Sequence, residues 1–106
     1  MINIIGMGPG NPEMMTLSAV NGILGAEVLA GAERNIKSGK ALLKDLGHEE
    51  DIGGLEIIYL KRDLQDFLNR VKQKRDREVA VLVSGDPGFF SLLDAFRREN
   101  IPVRGI

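Results

Sequence analysis

The sequence predicts an α/β fold built on a largely parallel sheet with helices on both faces. Three observations carry this. Short apolar runs alternate with segments of helical period, the pattern of successive βα units. Two of these runs, Ile2-Asn3-Ile4-Ile5 and Val79-Ala80-Val81-Leu82-Val83, lead straight into glycine-rich loops. The second run has no polar alternation at all, as expected of a central strand covered on both faces.

The first strand spans about Ile2 to Ile5. Beyond the first loop, Asn11 is a candidate cap with Pro12 at a first helical position, and Thr16 offers a second cap before Leu17, Val20 and Leu24. Gly25 stops that helix. Glu27 to Ala30 reads as a second strand ending at Gly31, followed by a weaker helix carrying Ile36, Leu43 and Leu46 and closing at Gly47. Gly39 interrupts it. The polar stretch His48 to Gly54 reads as a surface loop before a third strand, Leu55 to Leu60. Asp63 caps the next helix, where Leu64, Phe67, Leu68 and Val71 recur at i, i+3, i+4 and i+7, the clearest amphipathic stripe in the chain. After the fourth strand, Val79 to Val83, residues Phe89, Phe90, Leu92, Leu93 and Phe96 mark a helix ending near Asn100. Ile101-Pro102-Val103 begins a possible fifth strand. That strand lacks a following helix, so the chain reads as a single domain or fragment of a larger protein.

Composition narrows the function classes. At 106 residues and 43% hydrophobic content the chain can bury one modest core. Its 14 basic and 15 acidic side chains leave a formal charge of −1, with no field to recruit nucleic acid or an anionic membrane. Cysteine is absent, which removes disulfide, thiolate-metal and thiol-nucleophile chemistry. No apolar run has membrane-spanning length, and the N-terminus lacks the pattern of a signal peptide, so a cytoplasmic protein is expected. The single histidine, His48, has no carboxylate cluster of metal-ligand spacing around it, and no metal site is indicated.

Chemistry concentrates in the two loops. Glycine lets a backbone turn sharply and approach a ligand, and in open α/β sheets ligands sit beyond the carboxyl ends of the strands. The first loop is Gly6-Met7-Gly8-Pro9-Gly10-Asn11-Pro12. Counted from Gly6 and Gly8, the dinucleotide fingerprint would want a third glycine at Asn11, and Pro9 and Pro12 have no amide hydrogen to offer a phosphate. Shape and carbonyl presentation suit this loop better than anion capture, and a tight turn without a ligand is an equal alternative. Met7 is placed to pack against a ligand, while Met14 and Met15 read as core. In the second loop, Ser84-Gly85-Asp86-Pro87-Gly88, the proline pushes Asp86 toward extended geometry, aiming a carboxylate off the end of a buried strand. It would face a cationic ligand, or it would simply cap the following helix.

Together these loops resemble the tetrapyrrole methylases, enzymes that alkylate precorrin and uroporphyrinogen macrocycles. Gly6 to Pro12 looks like the family's opening proline-containing loop, Met15-Thr16-Leu17-Ser18-Ala19 like its first helix, and Ala26 to Gly31 like its second strand. Ser84-Gly85-Asp86-Pro87 looks like its GDP loop. Gly31-Ala32-Glu33-Arg34 and Gly88-Phe89-Phe90-Ser91-Leu92-Leu93 are most similar to the members that methylate precorrin at ring carbon 5.

The resemblance implies a three-layer domain with a five-stranded parallel sheet of order 3-2-4-1-5, forming residues 1–106 as the N-terminal half of a two-domain, dimeric enzyme. It implies S-adenosyl-L-methionine as cofactor and a precorrin or cobalt-precorrin as substrate, in cobalamin biosynthesis. By the same resemblance Pro9, Gly85, Asp86, Gly88 and Phe89 line the cofactor cleft and Gly8, Pro9 and Gly10 the substrate side, with Asp86 either the catalytic base or a cofactor contact. Arg34, Lys37, Arg97, Arg98 and Arg104 are candidates to pair with substrate carboxylates, but solvated faces are the stronger reading for most of them, and Arg97 and Arg98 simply complement a helix C-terminus. A dinucleotide oxidoreductase or a Rossmann-like methyltransferase would want an acidic residue at the end of the second strand, where Ala30-Gly31 stands and Glu33 comes two residues late. A receiver-like or scaffolding module lacks its acidic pair after the first strand.

Overall fold

The structure is a computed structural model describing residues 1–7 and 15–106, with Asp86 described by its backbone alone. In chain order the elements are β1 (Ile2–Gly6), α1 (Leu17–Leu24), β2 (Val28–Gly31), α2 (Glu33–Asp45), α3 (Glu49–Ile52), β3 (Glu56–Tyr59), α4 (Leu64–Lys72), β4 (Val79–Val83), α5 (Gly85–Arg98) and β5 (Arg104–Gly105). The strands form one parallel sheet of order β3-β2-β4-β1-β5.

The order explains the layers. From β1 through β2 to β3 the chain steps toward one edge, and from β3 through β4 to β5 it steps back toward the other. Because parallel crossovers are right-handed, the two directions put helices on opposite faces. The core divides accordingly. Ala19 and Ile23 of α1 and Ile36, Leu42 and Leu43 of α2 pack with Ile5, Leu29, Ala80 and Leu82. Phe67, Leu68 and Val71 of α4 and Leu92, Leu93 and Phe96 of α5 pack with Ile4, Val28, Ala30, Val79, Val81 and Val83. Every residue of β4 is therefore buried, alternately to one face and the other, each Val or Leu side chain stabilising the fold by about 1.5–3 kcal/mol.

Local chemistry sets the helix starts. Thr16 Oγ1 accepts from Ala19 N–H at 3.1 Å, and Asp63 Oδ1 accepts from Asp66 N–H at 3.0 Å, so these two predicted caps form. Gly39 lets α2 lie close on the sheet, since a Cβ there would stand 2.7 Å from Leu82 Cδ1. Gly31, at φ +147°, is tighter still: its Cβ would meet the Leu82 carbonyl oxygen at 2.6 Å.

Four expectations change. The stretch His48 to Gly54 is not wholly loop, since α3 forms a turn whose three acidic residues complement its N-terminus. The last helix begins at Gly85 rather than Phe89, because Gly85 turns at φ +67° and Pro87 sits in a first turn, where a missing N–H costs nothing. Asp86 consequently lies in that turn and not in an extended lead-in. The fifth strand pairs through Arg104 and Gly105 with Asn3 and Ile4, past Pro102, which has no N–H for a ladder.

At the opposite end of the sheet, where the strands begin, Glu56 receives Lys74 Nζ at 3.0 Å and Arg77 Nη1 at 3.2 Å. Glu27 accepts from Arg77 Nε at 3.5 Å and from Glu78 N–H at 3.2 Å. The Lys74 hydrogen bond, aided by the charges of Lys74 and Arg77, holds the Glu56 carboxyl below the usual carboxylate range. No helix among the described residues is long and apolar enough to cross a membrane.

Gly31→Ala is expected to destabilise the fold by about 2 kcal/mol or more through strain and the carbonyl clash. Gly53→Ala, at φ −64° in open space, should stay within about 1 kcal/mol of the parent in urea unfolding. A carboxylate held low contributes stability that is complete above its unfolded-state value, about 4.3, and fades as pH falls through the lower folded value. Glu56→Gln should therefore lower the urea midpoint at neutral pH, with the gap to the parent closing on acidification; a gap that widens in acid would refute the assignment.

Candidate functional site

The two glycine-rich segments leave from neighbouring strands. Gly6 of β1 is in register with Val83 of β4, and Met7 N–H donates to the Val83 carbonyl at 2.8 Å, carrying the ladder to the point where both chains depart. The reversal of winding makes β4 the switch: its own exit leads to one face of the sheet while those of both neighbours, β1 and β2, lead to the other. A crevice beyond the strand ends follows from that divergence.

On the β2 side the crevice contains a hollow of about 340 Å³. Its floor is apolar, formed by Leu60, Leu64, Val83 and Leu92, and its polar groups come from Arg34 and Asn35 of α2 and from Ser84 and Ser91. The volume is at the small end for a ligand site, enough for a compact ligand or one arm of a larger one. A larger hollow, about 760 Å³, runs along α1 beside β5 between Asn3, Asn21, Gly22, Arg104 and Ile106, and includes none of residues 84–89.

The predicted site residues fall as follows. Gly85 opens α5 in the left-handed region, and Gly88, one turn on, lines the hollow with its missing Cβ 3.9 Å from Val83 Cβ. Asp86 stands between them in the first turn, with Ser84 and not Asp86 at the N-cap position; its side chain lies outside the described residues. Phe89 does not line the hollow and lies over glycines: a Cβ on Gly6 would stand 4.0 Å from its ring, and one on Gly105 would come within 2.7 Å. It meets Phe90 edge-on, ring centroids 5.3 Å apart at 84°. Phe89, half-buried, thus stands on the β1–β5 side of the crevice, while Phe90 is 60% exposed. Gly8, Pro9 and Gly10, with the Asn11 cap, Pro12 and Met14, lie outside the described residues. Met7 is buried in the core.

One buried polar position beside the hollow escaped the sequence reading. Asn35 is buried at the start of α2, where its Oδ1 accepts from Ser84 Oγ at 2.6 Å and its Nδ2 reaches the Leu82 carbonyl at 3.4 Å. It ties the first turn of α2 to the exit of β4. The only sequence signal is an amide next to Ile36 on the face that also carries Gly39, Leu42 and Leu43.

The end of β2 argues against a ribose-binding acid there. Gly31 admits no side chain, and Glu33 is exposed and paired with Lys37 at 3.8 Å. Residues 1–106 match the Tetrapyrrole (Corrin/Porphyrin) Methylases. The chain belongs to that family. A cobalt-precorrin-7 C(5)-methyltransferase of Salmonella typhimurium is 32% identical over 92 residues, 87% of this chain and 40% of that protein. The structure of a uroporphyrin-III-C-methyltransferase from Thermus thermophilus superposes with a TM-score of 0.71 at 27% identity, over 99% of this chain and 46% of that one. A uroporphyrin-III C-methyltransferase from the same organism complexed with S-adenosyl homocysteine shares the fold, with a TM-score of 0.65 at 21% identity over 99% of this chain and 46% of that one. The present chain thus spans less than half the length of these relatives.

A double-mutant cycle tests the Asn35 tie. Asn35→Ala is expected to cost about 1–3 kcal/mol in urea unfolding, because it strands the buried carbonyl and hydroxyl. Ser84→Ala should cost less in that background than alone, a coupling of about 0.5 kcal/mol or more; additive losses would mean the 2.6 Å contact contributes nothing.

Proposed function

We propose that this domain binds S-adenosylmethionine at the ends of β1, β4 and β2 and serves the C-methylation of a precorrin macrocycle at ring carbon 5, in cobalamin biosynthesis. The observation that carries the reading is the adjacency of the two glycine-rich exits at the reversal of winding. Family membership and the Salmonella relative's name support the reaction and the carbon. The Thermus complex supports the cofactor class. The rest of the cleft comes from a second domain of the kind that the longer relatives have length for.

Methyl transfer from a sulfonium requires the macrocycle carbon in line with the S–CH₃ bond, so most of the catalysis is positioning and exclusion of water. The bound cofactor supplies the methyl group. The chain's part is a rigid floor, because β4 is buried on both faces and cannot yield, and a short set of groups at its rim. Gly85 and Gly88 leave room for backbone approach in the first turn of α5. Asp86 is the one acidic residue in either loop, and its role is to accept the proton displaced when the carbon is alkylated or to face the sulfonium charge. On their match to the family's opening loop we assign Gly8, Pro9 and Gly10 to contact with the substrate, and on its place after the GDP loop we assign Phe89 to the cofactor.

The test follows the transfer of labelled methyl from S-adenosylmethionine to cobalt-precorrin-7 by the intact protein. Asp86→Asn is expected to lower kcat by about 10²-fold with the melting temperature nearly unchanged. Rate and stability falling together would mark Asp86 as a structural residue of the helix start. No transfer by the parent protein would overturn the reading.

A further inference from the structure

We infer that Arg34 makes the hollow between α2 and α5 a carboxylate-binding subsite. Among the described residues lining that hollow, Arg34 is the one charged side chain; the others are apolar, hydroxyl, amide or glycine. Its place is not explained by helix stability. Arg34 stands in the first turn of α2, where the positive end of the helix dipole disfavours a cation. No carboxylate among the described residues pairs with it, and the adjacent Glu33 pairs with Lys37 instead. A guanidinium at the mouth of an otherwise uncharged recess binds the two oxygens of a carboxylate as a fork, in a setting with more apolar surface and less water than open solvent. The recess, at about 340 Å³, takes an acid-bearing arm and not a whole macrocycle. Ser91 adds a hydroxyl donor at its wall, whereas the Ser84 hydroxyl is engaged by Asn35.

Two ligands of the proposed function offer that chemistry, so the choice between them rests on that reading: an acetate or propionate arm of the macrocycle, or the α-carboxylate of the methyl donor's amino-acid end. Binding to the intact protein separates them. Uroporphyrin III, a polycarboxylate, is followed by its own fluorescence, and S-adenosyl homocysteine by titration calorimetry. Arg34→Gln should weaken one of the two by about tenfold, the loss expected for one partly exposed charge-assisted pair. Arg34→Lys, which keeps the charge but not the fork, should fall between parent and Arg34→Gln. Lys44→Gln, removing an equal charge from the last turn of the same helix, should change either affinity less than about twofold.

Loss confined to uroporphyrin assigns the subsite to the macrocycle, and loss confined to S-adenosyl homocysteine assigns it to the cofactor. Arg34→Gln within twofold of the parent on both ligands overturns the inference. So does a Lys44→Gln loss as large, which would reduce the effect to diffuse charge. Uroporphyrin binding that depends on Arg34 in a protein that transfers no methyl group would sink the methyltransferase reading and leave the subsite standing.

Discussion

The structure depends on how closely its neighbours approach Leu82. The carbonyl of this residue meets the α-carbon side of Gly31, where any Cβ would stand 2.6 Å away, and accepts from the Asn35 amide. Its side chain fills the space that Gly39 leaves open on α2. Two absent side chains and one buried amide thus let β2 and α2 lie close on β4. With β1 held along the other flank, β4 is fixed on both sides and both faces. A strand so confined presents its exit, Ser84 to Gly88, in one orientation, which is the preorganisation that a ligand site requires.

The sheet has a distinct chemistry at each end. Where the strands begin, Glu27, Glu56, Lys74 and Arg77 neutralise one another, and the N-terminal ammonium donates to the carbonyls of Arg75 and Arg77 at 3.0 and 2.8 Å. These charges satisfy their own element ends and leave little for a ligand. Where the strands finish, one arginine stands without a carboxylate among the described residues, and hydroxyls and glycines replace ion pairs. Parallel topology forces this separation, because every exit falls at one end and every entrance at the other.

How much of this was legible in the sequence varied with the range of the interaction. Strand β4 could be read to the residue because burial on both faces leaves an unbroken apolar run, and α4 because its stripe and its Asp63 cap are both local. The strand order came from the family resemblance and not from periodicity. The start of α5 was misplaced, since proline before a glycine reads as a loop until Gly85 has taken a left-handed turn that lets Pro87 into the first helical turn. The neighbours of Phe89 are hidden in the same way, since its ring lies against Gly105, a glycine 16 residues on, and nothing in the loop motif reports that. Asn35 was invisible for the same reason. Its partners Leu82 and Ser84 lie 47 and 49 residues on, and nothing in a single helix reports them.

The same backbone path occurs in a uroporphyrin-III methyltransferase at 27% identity, so the scaffold by itself does not select a macrocycle or a ring carbon. Within this domain the positions free to vary are side chains at the strand exits, because those positions do not hold the sheet together. Gly31, Gly39, Leu82 and Asn35 are constrained by packing, and replacing them would displace the site as a whole. Arg34, Ser91 and Leu64 are not so constrained: they border the hollow from three different helices, and Arg34 and Ser91 face solvent. Changing them alters what the hollow accepts without moving β4. The division between residues that place the crevice and residues that only furnish it is a physical basis on which one scaffold can serve several related substrates.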